Sequence, residues 1–352
     1  MKKKVLLMVM FFTICNLIAQ VFPDEHWEYD NERKGWDSSK GMQYYQYVRD
    51  SSVVTGLMII QNGKVILEYG DVQENSYIAS CRKSILSMLY GKYVENGTIN
   101  LNKTIAELNI DDVDGILPLE KEATVQHLIS ARSGVYHPEG YPGGMQEFAP
   151  KRGSKKPGEY WLYSNWDFNV AGFVFEQETG KNIYDEIETQ LAIPLLMQDW
   201  NRELQKKDGN TNISKYLAYP IWFSTRDMAR VGLLMLNRGN WNGKQIISEN
   251  WVDEMLKSRT SYKEVNTNVP VFRNSGVNFG YGYMWWLFED MDDPRFKNAY
   301  AAMGAMGQSI AVFPEINTVI VYKTKAAYRR NNSPETRLGL LKKAVEVYNL
   351  EN

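Results

Sequence analysis

Two cysteines, Cys15 and Cys81, are all that the 352 residues contain, too few to read as the disulfide framework of a small secreted domain. Histidine is nearly as scarce. His26, His127 and His137 are widely spaced and form no HxH or HExxH signature, so zinc hydrolysis is not expected, and no metal or other cofactor is implied. An excess of positive charge is missing too, with 40 Lys and Arg against 42 Asp and Glu and a net charge of −2. Nucleic acid is therefore not an expected partner.

Long apolar runs are absent with one exception. Val5 to Ala19, interrupted by Thr13 and Asn16 and preceded by Lys2, Lys3 and Lys4, has the outline of a signal peptide. It is short for a membrane span, and no later segment approaches the roughly 18 apolar residues that a span requires. The expectation is an exported protein, periplasmic or extracellular, cleaved after Ala19 and without a stable membrane span. A lipid anchor at Cys15 is the alternative, but Ile14 stands where a small residue would be expected. Removal of residues 1–19 leaves Cys81 without a partner, reading as a small buried apolar residue.

Aromatic residues are plentiful, with 10 Trp and 22 Tyr, which favours a packed globular chain over a disordered one. Val53 to Ile60 and Val65 to Tyr69 read as two strands joined at Asn62-Gly63, a strong hairpin signal. A helix follows from Ser80, with Ile85, Leu86, Met88, Leu89 and Tyr93 at three- and four-residue intervals. Further helices are expected over 123–131, 166–178, 183–192, 225–236 and 249–257. Strand signals return over 281–288, 308–314 and 317–322, and a last helix spans 336–348. The expected fold class is α/β (α+β): an antiparallel sheet built from N- and C-terminal strands, flanked by helices, with an inserted mostly helical region. The sheet part covers about 51–80 and 275–349 and the helical part 81–274, all in one domain of 51–349 after an extension of 20–50.

Three short patterns carry chemistry. Ser80-Cys81-Arg82-Lys83 places a serine and a lysine on one helical face. Serine needs an adjacent base, and a lysine serves if burial and nearby cations lower its pKa. A helix start also offers N–H groups to a developing oxyanion. Tyr163-Ser164-Asn165 supplies a phenol that can act as a base beside an ammonium, and an amide that can orient Lys83 and the substrate. The similar Tyr29-Asp30-Asn31 reads as surface. Gly304 and Gly307, in Ala302-Met303-Gly304-Ala305-Met306-Gly307-Gln308, permit close backbone approach before a strand. Each pattern is loose alone, and each has an ordinary structural explanation.

In this order the three resemble the serine β-lactamase and penicillin-binding superfamily, in the branch of class C β-lactamases, esterases and 6-aminohexanoate-dimer hydrolases. Gln126 to Gly134 and Tyr281 to Trp286 resemble further family segments. The resemblance covers roughly residues 50–345 and implies an acyl-enzyme on Ser80, with Lys83 and Tyr163 handling its proton. It also implies an oxyanion hole from the N–H groups of Ser80 and Ala305, and Asn165 positioning the substrate. The family's usual Lys or His is Ala302 here, which weakens recognition of carboxylate-bearing substrates. Lys323-Thr324-Lys325 lacks the glycine and reads as a surface strand end. Tyr136, Trp166 and the basic residues Lys151, Arg152, Lys155 and Lys156 are candidates for the cleft, as Trp161, Trp285 and Trp286 are for an acyl pocket. Gly307-Gln308-Ser309-Ile310-Ala311 nearly matches GxSxG but leads into a strand, against an α/β-hydrolase.

Three functions stand at this point: a hydrolase of small esters or amides, a β-lactamase or D-alanyl-D-alanine carboxypeptidase, and a non-catalytic peptidoglycan or ligand-binding protein on the same scaffold.

Overall fold

Asn62 and Gly63 adopt φ of 51° and 82°, both in the left-handed region that a two-residue hairpin turn demands. They join β1 (Gly56–Gln61) to β2 (Lys64–Gly70). A computed structural model describes residues 20–274 and 276–349; the expected signal segment, 1–19, lies outside the described residues.

Before the hairpin comes α1 (Ser38–Ser51), whose first turn is capped by the Asp37 carboxylate accepting from the N–H groups of Ser39 and Lys40. After it come β3 (Ser76–Tyr77), α2 (Cys81–Glu95), α3 (Val125–Ile129), α4 (Asn165–Thr179) and α5 (Ile183–Ile187). Then follow β4 (Trp222–Phe223), α6 (Thr225–Leu236), β5 (Asn240–Trp241), β6 (Lys244–Gln245), α7 (Glu249–Leu256) and α8 (Tyr262–Asn268). The chain returns to strands with β7 (Phe279–Tyr281), β8 (Trp286–Phe288), β9 (Tyr300–Gly304), β10 (Gln308–Phe313) and β11 (Thr318–Lys323), and ends on α9 (Pro334–Val345).

Seven strands form one antiparallel sheet in the order β2-β1-β11-β10-β9-β8-β7. The N-terminal hairpin thus docks on the last strand of the chain, as the expected fold class requires. Side chains alternate between the two faces of a strand. Val319 meets Gly232 of α6, whereas the Tyr322 hydroxyl donates to the Arg337 carbonyl of α9, so the two helices cover opposite faces. With both faces covered, β10 and β11 are buried at every residue and show no polar alternation.

Gly232 lets α6 approach the sheet: a Cβ there would lie 2.3 Å from Val319 Cγ1 and 3.0 Å from Ile310 Cγ2. Gly232→Ala is expected to destabilise by about 1–3 kcal/mol through overpacking, seen as a lower Tm with unchanged activity per folded molecule.

Two elements differ from the sequence reading. The segment 281–288 is a tight hairpin, β7 to β8, because the Gly282 N–H bonds the Trp285 carbonyl and Met284 takes a φ of 61°. Residues 20–50 pack into the same core, with Trp27, Trp36, Tyr44 and Val48 buried. Among the described residues no helix is long and apolar enough to cross a membrane.

Candidate active site

Ser80 stands at the N-terminus of α2, immediately after Ala79, whose φ of 50° is left-handed. A non-glycine residue there costs on the order of 1–3 kcal/mol and persists only where its surroundings fix it. Two contacts do so. The Ile78 N–H donates to the Ile221 carbonyl, and β9 presses from the other side. At Gly304 a Cβ would lie 2.8 Å from the Ile78 carbonyl oxygen, 2.9 Å from Ser80 N and 3.0 Å from Ala79 Cβ. Only glycine permits that approach, which sets the exposed Ala305 beside the nucleophile's turn. Among the described residues the Ser80 N–H has no acceptor, so it is free for a ligand.

One turn along α2, Lys83 is 1 % exposed. Its Nζ lies 3.1 Å from Ser80 Oγ and 2.9 Å from Tyr163 Oη. It also sits 4.0 Å from the Tyr163 ring centre and 4.5 Å from that of Phe168. Burial, helped by the positive Arg82, holds the Lys83 amine well below the usual lysine range; the Glu139 carboxylate opposes this only in part. Burial pushes the Tyr163 phenol above its ordinary value, although Ser80 and Arg82 pull it back somewhat. Burial thus favours the neutral amine at Lys83 and the protonated phenol at Tyr163, beside the half-buried Ser80 hydroxyl. Tyr163 is held by stacking on Trp286, with ring centres 5.4 Å apart, and by Phe168 at 4.9 Å.

Asn165 opens α4 beside Tyr163, but its Nδ2 donates to the Tyr141 carbonyl at 3.0 Å and not to Lys83. Its Oδ1 is buried without a partner among the described residues.

Three expectations are corrected. Trp166 is 1 % exposed and its Nε1 donates to Asp112 Oδ2 at 2.7 Å, so it is a core residue with no face for a substrate. Tyr136 is buried edge-on against Tyr160. Gly307, at φ 92°, takes the left-handed conformation that favours glycine, and a Cβ there would lie 2.8 Å from Asn332 Nδ2. Lys323 and Thr324 are fully buried. The Lys323 amine, pulled down to about 8 by burial, donates to the carbonyls of Glu74 and Phe223, tying β3 and β4 to the sheet.

In the loop before α4, Arg152 is bound to Glu120 and the Gly115 carbonyl and so is not free to serve as a replacement cation. Ala302 is fully buried on the same face of β9 as Gly304. Trp161 and Trp285 are fully buried in the core. Phe168, Arg82 and Glu139 escape the sequence reading as neighbours of Lys83. Arg82 stands inside the SxxK pattern, where it counts only as spacing.

A surface cleft of about 890 Å³, lined by Glu188, Ile193, Leu196, Trp200 and Arg202 among others, contains none of Ser80, Lys83 and Tyr163. The chemistry of the convergent side chains, and not cleft size, marks the site. Among the described residues no group of three or more His, Cys, Asp or Glu could hold a metal ion.

The Beta-lactamase family profile matches residues 46–342. The chain is 26% identical over 288 residues to an uncharacterised protein of Alkalihalophilus pseudofirmus, covering 75% of this chain and 77% of that one. It is 25% identical over 184 residues to a 6-aminohexanoate-dimer hydrolase of Paenarthrobacter ureafaciens, covering 52% of this chain and 44% of that protein. The fold is shared with a family VIII carboxylesterase, at a TM-score of 0.63 and 15% identity over 92% of this chain and 99% of that one. With the profile spanning most of the chain and the fold agreeing, the protein belongs to the serine β-lactamase-like hydrolase family.

Proposed function

We propose that the protein is an exported serine hydrolase that cleaves small neutral esters or amides through an acyl-enzyme on Ser80. The observation that carries this reading is the placement of Lys83 Nζ within hydrogen-bond reach of both Ser80 Oγ and Tyr163 Oη. The unprotonated amine takes the Ser80 proton as Oγ attacks the substrate carbonyl carbon. The negative charge that develops on the carbonyl oxygen is received by the N–H groups of Ser80 and Ala305. Collapse of the tetrahedral intermediate breaks the bond to the alcohol or amine, which leaves with the proton passed from Lys83 through the Tyr163 hydroxyl. Water then attacks the acyl group, giving its proton to the same pair, and the acid departs as Ser80 is restored.

The names of the hydrolase and esterase relatives support an acyl substrate of small size. The neutral preference rests on Ala302: buried alanine offers no charge to a substrate carboxylate.

Incubation with a fluorophosphonate, followed by peptide mass spectrometry, is expected to place one adduct on Ser80. Short-chain p-nitrophenyl esters are expected to turn over while nitrocefin stays near background. No adduct on Ser80, or equal turnover by Ser80→Ala, would overturn the proposal. Efficient nitrocefin hydrolysis would move the substrate class to β-lactams.

A further inference from the structure

Arg82 is 1 % exposed. Its Nη2 donates to Asn169 Oδ1 of α4 at 2.9 Å, and its guanidinium lies 4.3 Å from the Tyr219 ring centre and 6.0 Å from that of Tyr141. Nη1 is buried without an acceptor among the described residues. No described carboxylate comes within ion-pair distance. A guanidinium keeps its charge at any physiological pH, and burying one without an anionic partner is costly. The neutral amide of Asn169 and the ring faces hold the group in place without cancelling its charge. That charge belongs to the residue next to Lys83 on α2, in a region closed to water, where screening is weak.

The groups that face Lys83 come from three places. Ser80 and Cys81 lie on α2, and Tyr163 and Phe168 at the start of α4. Glu139 belongs to the preceding loop and, among the described residues, is the one carboxylate that acts on the amine. Glu139 is itself occupied by the N–H groups of Asn165 and Gly144 and by Gln146, so its pull on Lys83 is shared. Arg82 in turn is faced by the phenols of Tyr184 and Tyr219, which burial keeps protonated and uncharged.

We propose that Arg82 is a positioning residue for catalysis, a fixed and uncompensated positive charge that holds the neighbouring Lys83 amine in its base form at neutral pH. The proposal rests on the reading of Lys83 as the base. A base acts when unprotonated, so activity rises with pH through its titration. Removing a neighbouring positive charge moves that rise to higher pH.

The test is the pH profile of kcat/KM for p-nitrophenyl acetate in the wild type, Arg82→Met, Arg82→Lys and Asn169→Asp. Arg82→Met is expected to move the rising limb up by about one pH unit, a roughly tenfold loss at a pH on that limb, with recovery on the alkaline plateau. Asn169→Asp keeps Arg82 and its hydrogen bond but sets a carboxylate against the guanidinium. It is expected to move the limb in the same direction, and Arg82→Lys to move it least. A merely structural role would lower activity equally at every pH and leave the limb in place. That result in Arg82→Met and Asn169→Asp would overturn the proposal, and if Arg82→Met does not fold, Asn169→Asp decides alone. Lys83→Ala separates the two levels: wild-type turnover in that variant removes the base assignment and this proposal together. An inactive Lys83→Ala with unmoved limbs in the other variants removes only the role of Arg82.

Discussion

Lys83→Ala is expected to lower kcat/KM for a short-chain p-nitrophenyl ester by about 10²- to 10⁴-fold, the usual scale for loss of a general base. The side chain contributes little else at the site. It is buried, and the polar atoms it reaches are Ser80 Oγ and Tyr163 Oη. Its removal leaves the hydroxyl without an acceptor for its proton. The same geometry fixes the pH dependence. The amine is held well below the usual lysine range by burial and by Arg82, so the wild-type profile rises through that lowered value and is level beyond it. Tyr163 acts as a protonated phenol and burial raises it, so no falling limb from Tyr163 is expected below about pH 10, its unperturbed value. Tyr163→Phe keeps the stacking on Trp286 and deletes only the hydroxyl. A loss of roughly 100-fold or more is expected there. Near wild-type rates in both variants would show that the proton takes another path.

Gly304→Ala is expected to lower kcat by about 10²- to 10³-fold, the range seen when an oxyanion donor is removed. The backbone at Gly304 is ordinary extended strand, φ −135° and ψ 161°, so alanine suffers no conformational strain. The obstacle is contact. The new methyl would meet Ile78 O at 2.8 Å and Ser80 N at 2.9 Å, and neither is a flexible side-chain end that can swing aside. The end of β9 must retreat, carrying the Ala305 N–H away from that of Ser80. Binding of neutral ester should suffer less than the chemical step, because the two N–H groups matter most when charge develops on oxygen. A Gly304→Ala variant with unchanged kcat and an intact Tm would place the oxyanion elsewhere.

Much of this is legible in the sequence alone. The hairpin at Asn62-Gly63 was legible because a left-handed two-residue turn has few sequence solutions. Ser80 and Lys83 were legible because helical spacing places i and i+3 together. Tyr163 could be named from its motif, but not brought to Lys83 by any local rule, since the two meet only where α4 packs near α2. Trp166 and Tyr136 went astray for a related reason. An aromatic side chain looks the same in sequence whether it faces a cleft or the core, and the buried Asp112 carboxylate that takes up Trp166 lies far away along the chain. Lys323 misled more sharply. A lysine at a strand end is ordinarily solvated, yet here it is fully buried and capped by two backbone carbonyls.

The sequence by itself determined the family, the sheet built from both ends of the chain, and the identities of Ser80, Lys83 and Tyr163, because these depend on local periodicity and on motif order. Only the tertiary structure sets the surroundings on which their protonation depends. Whether the Lys83 amine is free or protonated depends on how much water it sees and which charges stand beside it. The burial of Lys83 and the placing of Arg82 and of the hydrogen-bonded Glu139 are set by contacts among α2, α4 and the loop that precedes α4. Local periodicity carries the order of elements, whereas protonation states belong to the packed molecule.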